Sequence, residues 1–202
     1  MGDLTGLFAS DARHAEYRAA AFQATLDEIA EVRLAGRQDF DPSRESLGLP
    51  ELVDIDSAAL DFWEQEWVRE PPPLDFGGGF NWRGIAETEK TLPDRFEIAI
   101  WFQGILCGMA AGKPSKGNDN LTIRFIERYW GENPLTGSIA PIVVDAADKY
   151  ARLLQKKRLK LKDPYPGAIP IYERLGFRVA EPIGQAIYYA REVEDGARIA
   201  QR

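Results

Sequence analysis

Histidine and cysteine are almost missing from this sequence, with one of each, His14 and Cys107, in 202 residues. A single cysteine excludes an internal disulfide framework and fits a reducing compartment. A single histidine excludes a multi-histidine metal site, so no metal is expected. Any Ser-His-Asp or Cys-His machinery would have to be built on His14 alone. His14 lies in a long helical pattern from about Ser10 to Leu34, rich in Ala, Glu and Arg, and reads as an ordinary helix-surface residue. No apolar run approaches about 18 residues, so no membrane span is expected. Met1-Gly2-Asp3-Leu4 lacks the basic and apolar blocks of a signal peptide, and a cytoplasmic protein is the expectation.

Hydrophobic residues are not scarce, at 45%, which suits one globular domain with an elaboration or two small ones. Charge is unevenly spread. Residues 39–97 hold fifteen acids and five bases, a net of −10 against −7 for the chain, whereas residues 98–202 hold eleven acids and sixteen bases, a net of +5. From Lys149 to Lys162 there are seven bases and no acid. That run reads either as a solvated helix face or as a site for a polyanion such as the adenosine phosphates of a coenzyme. The acidic total and the lack of a nucleic-acid-binding motif count against nucleic acid. The acidic first half suits a cationic partner.

The early helix carries Tyr17, Ala20, Ala21, Ala24, Leu26 and Ile29 as a small face for packing on another helix, within the chain or in a homodimer. Residues 36–58 are rich in Asp, Pro, Ser and Gly and read as a loop. Ser57 is the expected cap of a second helix through Trp67, stopped by Pro71-Pro72-Pro73. Gly77-Gly78-Gly79 beside Phe80, Asn81 and Trp82 reads as an aromatic loop, either a connector packed on the core or a substrate lid. Phe96–Trp101 and Ile105–Ala110 flank Phe102-Gln103-Gly104 as a hairpin.

The central stretch is Asn120–Phe177. Leu121, Ile123 and Phe125 recur with period two in a strand Leu121–Ile126 that ends at Glu127. Ser138 is the expected cap of a helix to about Gln155, with Pro141 in its first turn. Ile139, Ile142, Val143, Ala146, Tyr150, Leu153 and Leu154 share one face of it. Arg158–Lys162 alternate as a strand, and Pro170–Leu175 make a short helix stopped by Gly176. A strand feeding a helix through a Gly turn points free N–H groups beyond the strand end, and this favours phosphate. Arg178–Glu181 and Ala186–Ala190 make a closing hairpin, and residues 194–202 read as a tail.

The run Ala168-Ile169-Pro170-Ile171-Tyr172-Glu173-Arg174-Leu175-Gly176-Phe177 resembles the Ala-Ile-x-Leu-Tyr-Glu-Lys-Leu-Gly-Phe segment of the GNAT superfamily of acyl-CoA N-acyltransferases. The strand, turn and helix before it sit at the family's spacing, over roughly residues 95–192. The resemblance implies an α/β (α+β) fold: a mixed, mostly antiparallel sheet with helices on both faces, here with a helical N-terminal extension. Residues 1–94 would then be that extension and the substrate or dimer region, and residues 95–202 the acyl-CoA-binding core. Where the family usually has Arg or Gln, two spacers, Gly, one spacer and Gly or Ala, this chain reads Leu135-Thr136-Gly137-Ser138-Ile139-Ala140. Backbone N–H groups are therefore the expected pyrophosphate ligands. The family's frequent Asn ahead of the last helix is also missing, with Tyr165 near that place.

What the resemblance implies is an N-acyltransferase moving an acetyl group from acetyl-CoA, as co-substrate, to a primary amine by direct attack. Ile126, Arg128, Thr136, Gly137, Ser138, Ile139 and Ala140 are the implied coenzyme contacts. Tyr172 is the implied donor of a proton to the departing thiolate, and Glu127 the implied acceptor of the amine's proton. The same residues read more plainly as a core aromatic and a solvated strand-end carboxylate. A catalytically silent relative serving as a binding or assembly module is the alternative for the whole chain.

Overall fold

The computed structural model describes residues 4–35, 48–69, 73 and 77–193, with side chains omitted at 4–9 and 33–35. The elements are α1 (Leu4–Ala35), β1 (Glu51–Val53), α2 (Ser57–Phe62), α3 (Trp82–Glu89), β2 (Phe96–Phe102), β3 (Ile105–Pro114), β4 (Asn120–Arg128), α4 (Ile139–Leu153), β5 (Arg158–Lys162), α5 (Ile169–Arg174), β6 (Arg178–Ile183) and β7 (Ala186–Glu192). Most of loop 36–58, Pro71-Pro72 and the 194–202 tail lie outside the described residues.

The strands form one seven-stranded sheet in the order β1-β2-β3-β4-β5-β7-β6. Every neighbouring pair is antiparallel except β4 and β5. Alternation along β2 shows how both faces are buried: Phe96, Ile98 and Ile100 join the core under α1 and α4, and Ala99 joins the core under α2 and α3. The mixed, mostly antiparallel sheet with helices on both faces matches the sequence expectation. Phe177 N–H reaches back to the Tyr172 carbonyl at 3.0 Å, and Gly176 stops α5 at φ +89°.

Helix α1 lies on α4 by much of the expected face, with Ala21 buried and Tyr17, Leu26 and Ile29 packed against the core, but the stripe also takes in polar residues. Its buried side chains are His14, Arg18, Ala21, Phe22 and Thr25, whereas Ala20 is exposed. Arg18 donates from Nε and Nη2 to the Asp54 carboxylate, both at 2.7 Å, and from Nη1 to the Arg95 carbonyl at 3.2 Å. A buried guanidinium so paired lets a polar residue occupy the centre of a packing stripe. His14 is thus a buried residue, not a surface one: its Nδ1 donates to the Ser10 carbonyl at 2.7 Å and its ring meets Tyr17 edge-on.

Three further local expectations change. The cap of α2 is Asp56, whose Oδ1 accepts from Ala59 N–H at 2.9 Å, not Ser57. The helix then widens to a π turn over Trp63–Trp67, which seats both tryptophans in the core. Residues 51–53, read as loop, add an edge strand to β2, and Asn81–Glu89 hold a helix that the aromatic loop obscured, with the Asn81 side chain accepting from Gly84 N–H at 3.0 Å.

The feature that positions the site is a bulge in β4. Ala111 pairs with Phe125 and Gly112 with Ile123, so Arg124 is an extra residue. Bulges bend a strand, and here the parallel pairing with β5 covers only Asn120–Ile123 opposite Arg158–Leu161. Beyond it the two strands part. Gly112 permits this bend, because a Cβ there would lie 2.3 Å from the Thr122 carbonyl oxygen. Gly112→Ala forces backbone apart and is expected to cost about 1–3 kcal/mol, read as a lower midpoint in urea.

Candidate active site

The parting of β4 and β5 leaves a cleft of about 400 Å³. It runs through the sheet. On the α4 face it is lined by Ile126, Gly137, Ile139 and Ala140, and on the α3 face by Gly77, Phe80 and Glu127. The two faces follow from strand alternation: Ile126 packs on the α4-side core, Phe125 on the α3-side core, and Glu127 is bound to Trp82 of α3.

Asn133 builds the turn ahead of α4. Its Nδ2 donates to the carbonyls of Cys107 at 2.7 Å and Tyr129 at 3.2 Å, and its Oδ1 accepts from Leu135 N–H at 2.9 Å. Leu135 is buried in the α4-side core, so an apolar residue here anchors the turn by packing. Gly137 takes φ +85°. The turn uses two of the expected donors itself, Thr136 N–H to the Asn133 carbonyl at 3.1 Å and Ser138 N–H to the Leu135 carbonyl at 2.9 Å. Ser138 holds the cap position but its hydroxyl makes no cap bond. In the turn from Thr136 to Ala140, the N–H groups without a protein acceptor are those of Gly137, Ile139 and Ala140. They sit at the positive end of the α4 dipole, where an anion is favoured.

Of the nine residues singled out from sequence, Tyr172, Glu127, Ile126, Arg128, Gly137, Ile139 and Ala140 line this one cleft. Thr136 is exposed and lines no part of it, and Ser138 faces a separate cavity between α1 and α4. Sequence reasoning missed Lys162, Asp163 and Tyr165 as lining residues, and Asn133 as the builder of the turn. The glycine run 77–79 was the available signal for Gly77 and Phe80. Phe80 lines the cleft and Trp82 is wholly buried, so this segment is part core and part cleft wall.

Tyr172 is 6% exposed, with its ring edge-on to Phe177 at 6.2 Å. Its hydroxyl has no protein hydrogen bond among the described residues, and burial pushes it up to about 12. At neutral pH it is a proton donor. Glu127 is 3% exposed and its carboxylate accepts from Gly79 N–H, from Phe80 N–H and from Trp82 Nε1 at 2.5 Å. Burial raises its pKa, and the three donors offset that rise only in part. Burial also lowers Arg128 from its ordinary value. Cys107 is fully buried and its thiol is pushed up to about 11, which makes it a poor nucleophile. Among the described residues no group of three or more His, Cys, Asp and Glu could hold a metal ion, and no helix is long and apolar enough to cross a membrane.

No family model matches the sequence, and no curated protein matches it. Solved structures do. Ard1 from Thermoplasma volcanium superposes with a TM-score of 0.54 at 13% identity, over 72% of this chain and 99% of its own. The ribosomal-protein-S18-alanine N-acetyltransferase from Escherichia coli gives 0.53 at 14%, over 74% and 97%. This protein has the GNAT fold. An aminoglycoside 6'-N-acetyltransferase complexed with coenzyme A gives 0.52 at 13%, over 72% of this chain and 98% of its own. The GNAT fold thus covers those structures almost whole, and about a quarter of this chain lies outside each match.

Proposed function

We propose that the protein is an N-acyltransferase that moves an acetyl group from acetyl-CoA to a primary amine of a cationic acceptor. The observation that carries this reading is the cleft through the sheet, with free N–H groups on its α4 face and Tyr172 and Glu127 in its walls. The acetyltransferases among the similar folds support it.

The residues present fit the coenzyme. Gly137, Ile139 and Ala140 N–H groups would hold the pyrophosphate at the start of α4, and Ile126 and Arg128 would border the arm entering the cleft. Acyl-CoA supplies an activated thioester carbonyl. Glu127 would take one proton from the ammonium form of the acceptor, directly or through water, because only the free amine has a lone pair for attack. A carboxylate has about four acceptor sites, and three are filled by N–H groups, which leaves one. Tyr172 would give its proton to the sulfur as the carbon–sulfur bond breaks and the carbon–nitrogen bond forms. The nitrogen's second proton, shed as the amide forms, restores Tyr172 through solvent, and the proton held by Glu127 passes to solvent, so ammonium and thioester give amide, free thiol and one released proton. Residues 39–97, net −10, supply α2, α3 and the Gly77 and Phe80 part of the cleft's α3 face, which suits a cationic acceptor.

Calorimetry with acetyl-CoA and with CoA tests the reading, since no binding at millimolar ligand sinks it. Binding without turnover of any amine would leave the silent binding module. The phosphate site has its own check. Gly137 stands at φ +85°, which a β-branched residue adopts only with strain, so Gly137→Val moves the turn and is expected to weaken CoA binding by about tenfold or more with the protein still folded. Unchanged affinity in a folded variant removes the pyrophosphate from this turn.

A further inference from the structure

Glycine is required at three points around the mouth of the cleft on the α3 face. A Cβ on Gly77, which takes φ +68°, would lie 2.3 Å from the Tyr165 ring. On Gly78 it would lie 2.3 Å from Glu127 Oε1, and on Gly167 2.8 Å from the Tyr165 ring. Residues 77–80 therefore thread between the Glu127 carboxylate at the end of β4 and the Tyr165 ring in the β5–α5 connection. The strap is tied down by the three N–H groups that Glu127 accepts, from Gly79, Phe80 and Trp82. It joins the ends of the two strands that the bulge drives apart, and turns an open groove into a ringed channel.

The ring is stiff. Phe80, the strap residue that walls the channel, is held edge-on by Phe125 at 5.2 Å and by Trp82 at 6.1 Å. Widening the channel there means pulling N–H groups from a carboxylate that is 3% exposed, which leaves a buried charge without its partners. The cleft, at about 400 Å³, lies near the small end of ligand pockets, and the donor's thioester arm takes part of it from the α4 face.

We infer that the strap sets the acceptor class: a primary amine at the tip of an unbranched alkyl arm, with the bulk of the molecule left outside. Aromatic walls at Phe80 and Tyr165 suit a methylene chain that carries a cation past them. The inference rests on the acyl-CoA reading of the cleft.

The test uses three CoA thioethers and calorimetry on the full chain: carboxamidomethyl-CoA and its N-butyl and N-tert-butyl derivatives. Branching beside the nitrogen must meet the ring, so the butyl compound is expected to bind about tenfold tighter than the tert-butyl one. In Gly78→Ala, whose methyl displaces the strap from Glu127, that ratio falls to about twofold or less while the parent compound binds as before. Phe80→Ala opens the wall without touching the backbone and covers the case in which Gly78→Ala does not fold. It is expected to raise tert-butyl affinity by about tenfold. If the parent binds but wild type holds butyl and tert-butyl alike, or if the preference survives in folded Phe80→Ala, the strap does not select and the inference is overturned. If the parent itself does not bind, the acyl-CoA reading has failed and takes this one with it.

Discussion

Tyr172→Phe is expected to lower turnover by roughly ten- to a thousandfold while CoA affinity and melting temperature stay close to wild type. The departing sulfur belongs to a thiol whose pKa is about 8.5 by analogy with cysteine, so expulsion as a bare thiolate in a low-dielectric cleft is costly. The Tyr172 hydroxyl, held up at about 12 by burial, stays protonated through the neutral range and can supply that proton. The substitution is clean for a structural reason. Phenylalanine keeps the ring that packs on Phe177, and among the described residues no protein group loses a hydrogen bond with the hydroxyl. Single-turnover rates with a saturating amine are the measurement. Activity kept within twofold leaves Tyr172 as packing alone.

Glu127→Gln should cost about ten- to a hundredfold in kcat/KM and erase the acidic limb of its pH profile. The sign follows from burial. The carboxyl's pKa stands above its ordinary 4.5 in the fold, so the basic form fills only above that raised value and the wild-type limb lies higher than an exposed glutamate would put it. Stability moves the other way. A carboxyl that binds its proton more tightly folded than unfolded favours the fold most below pH 4.5, and that contribution is lost as pH rises through the raised value. Glutamine abolishes this dependence. It also turns an NH2 toward one of the N–H donors, so a lower melting temperature is expected alongside the kinetic loss. Full activity at neutral pH with the acidic limb intact would send the amine's proton to water and leave Glu127 as the tie for the strap.

Much of the site was legible in the chain. Period-two apolar residues in β4, the Gly turn, the 3.6-residue face of α4 and the Pro170 to Gly176 punctuation of α5 are short-range signals. They outline the elements; the resemblance at Ala168–Phe177 is what put Tyr172, Glu127 and the start of α4 into one expected site, and all three line one cleft. The α1 face was read only in part, because Arg18, His14 and Thr25 share its buried stripe with Ala21, Tyr17, Leu26 and Ile29, and hydrophobic periodicity does not register polar residues whose partners lie elsewhere. Ser138 was placed at the right position with the wrong function, since its backbone, not its hydroxyl, is used by the turn.

By itself the sequence determined the order of strands and helices from β2 to β7, the hairpins and the residue types at the cleft, because these depend on neighbours within a few positions, whereas β1 and α3 escaped it. Only the tertiary structure decided the bulge at Arg124, the parting of β4 from β5 and the strap tied to Glu127. Each of these depends on the absence of a Cβ where two distant backbones or side chains meet, Gly112 on Thr122, Gly78 on Glu127 and Gly77 on Tyr165. A glycine in a sequence reports freedom of the backbone, and which neighbour needs that space is settled only when the chain has folded.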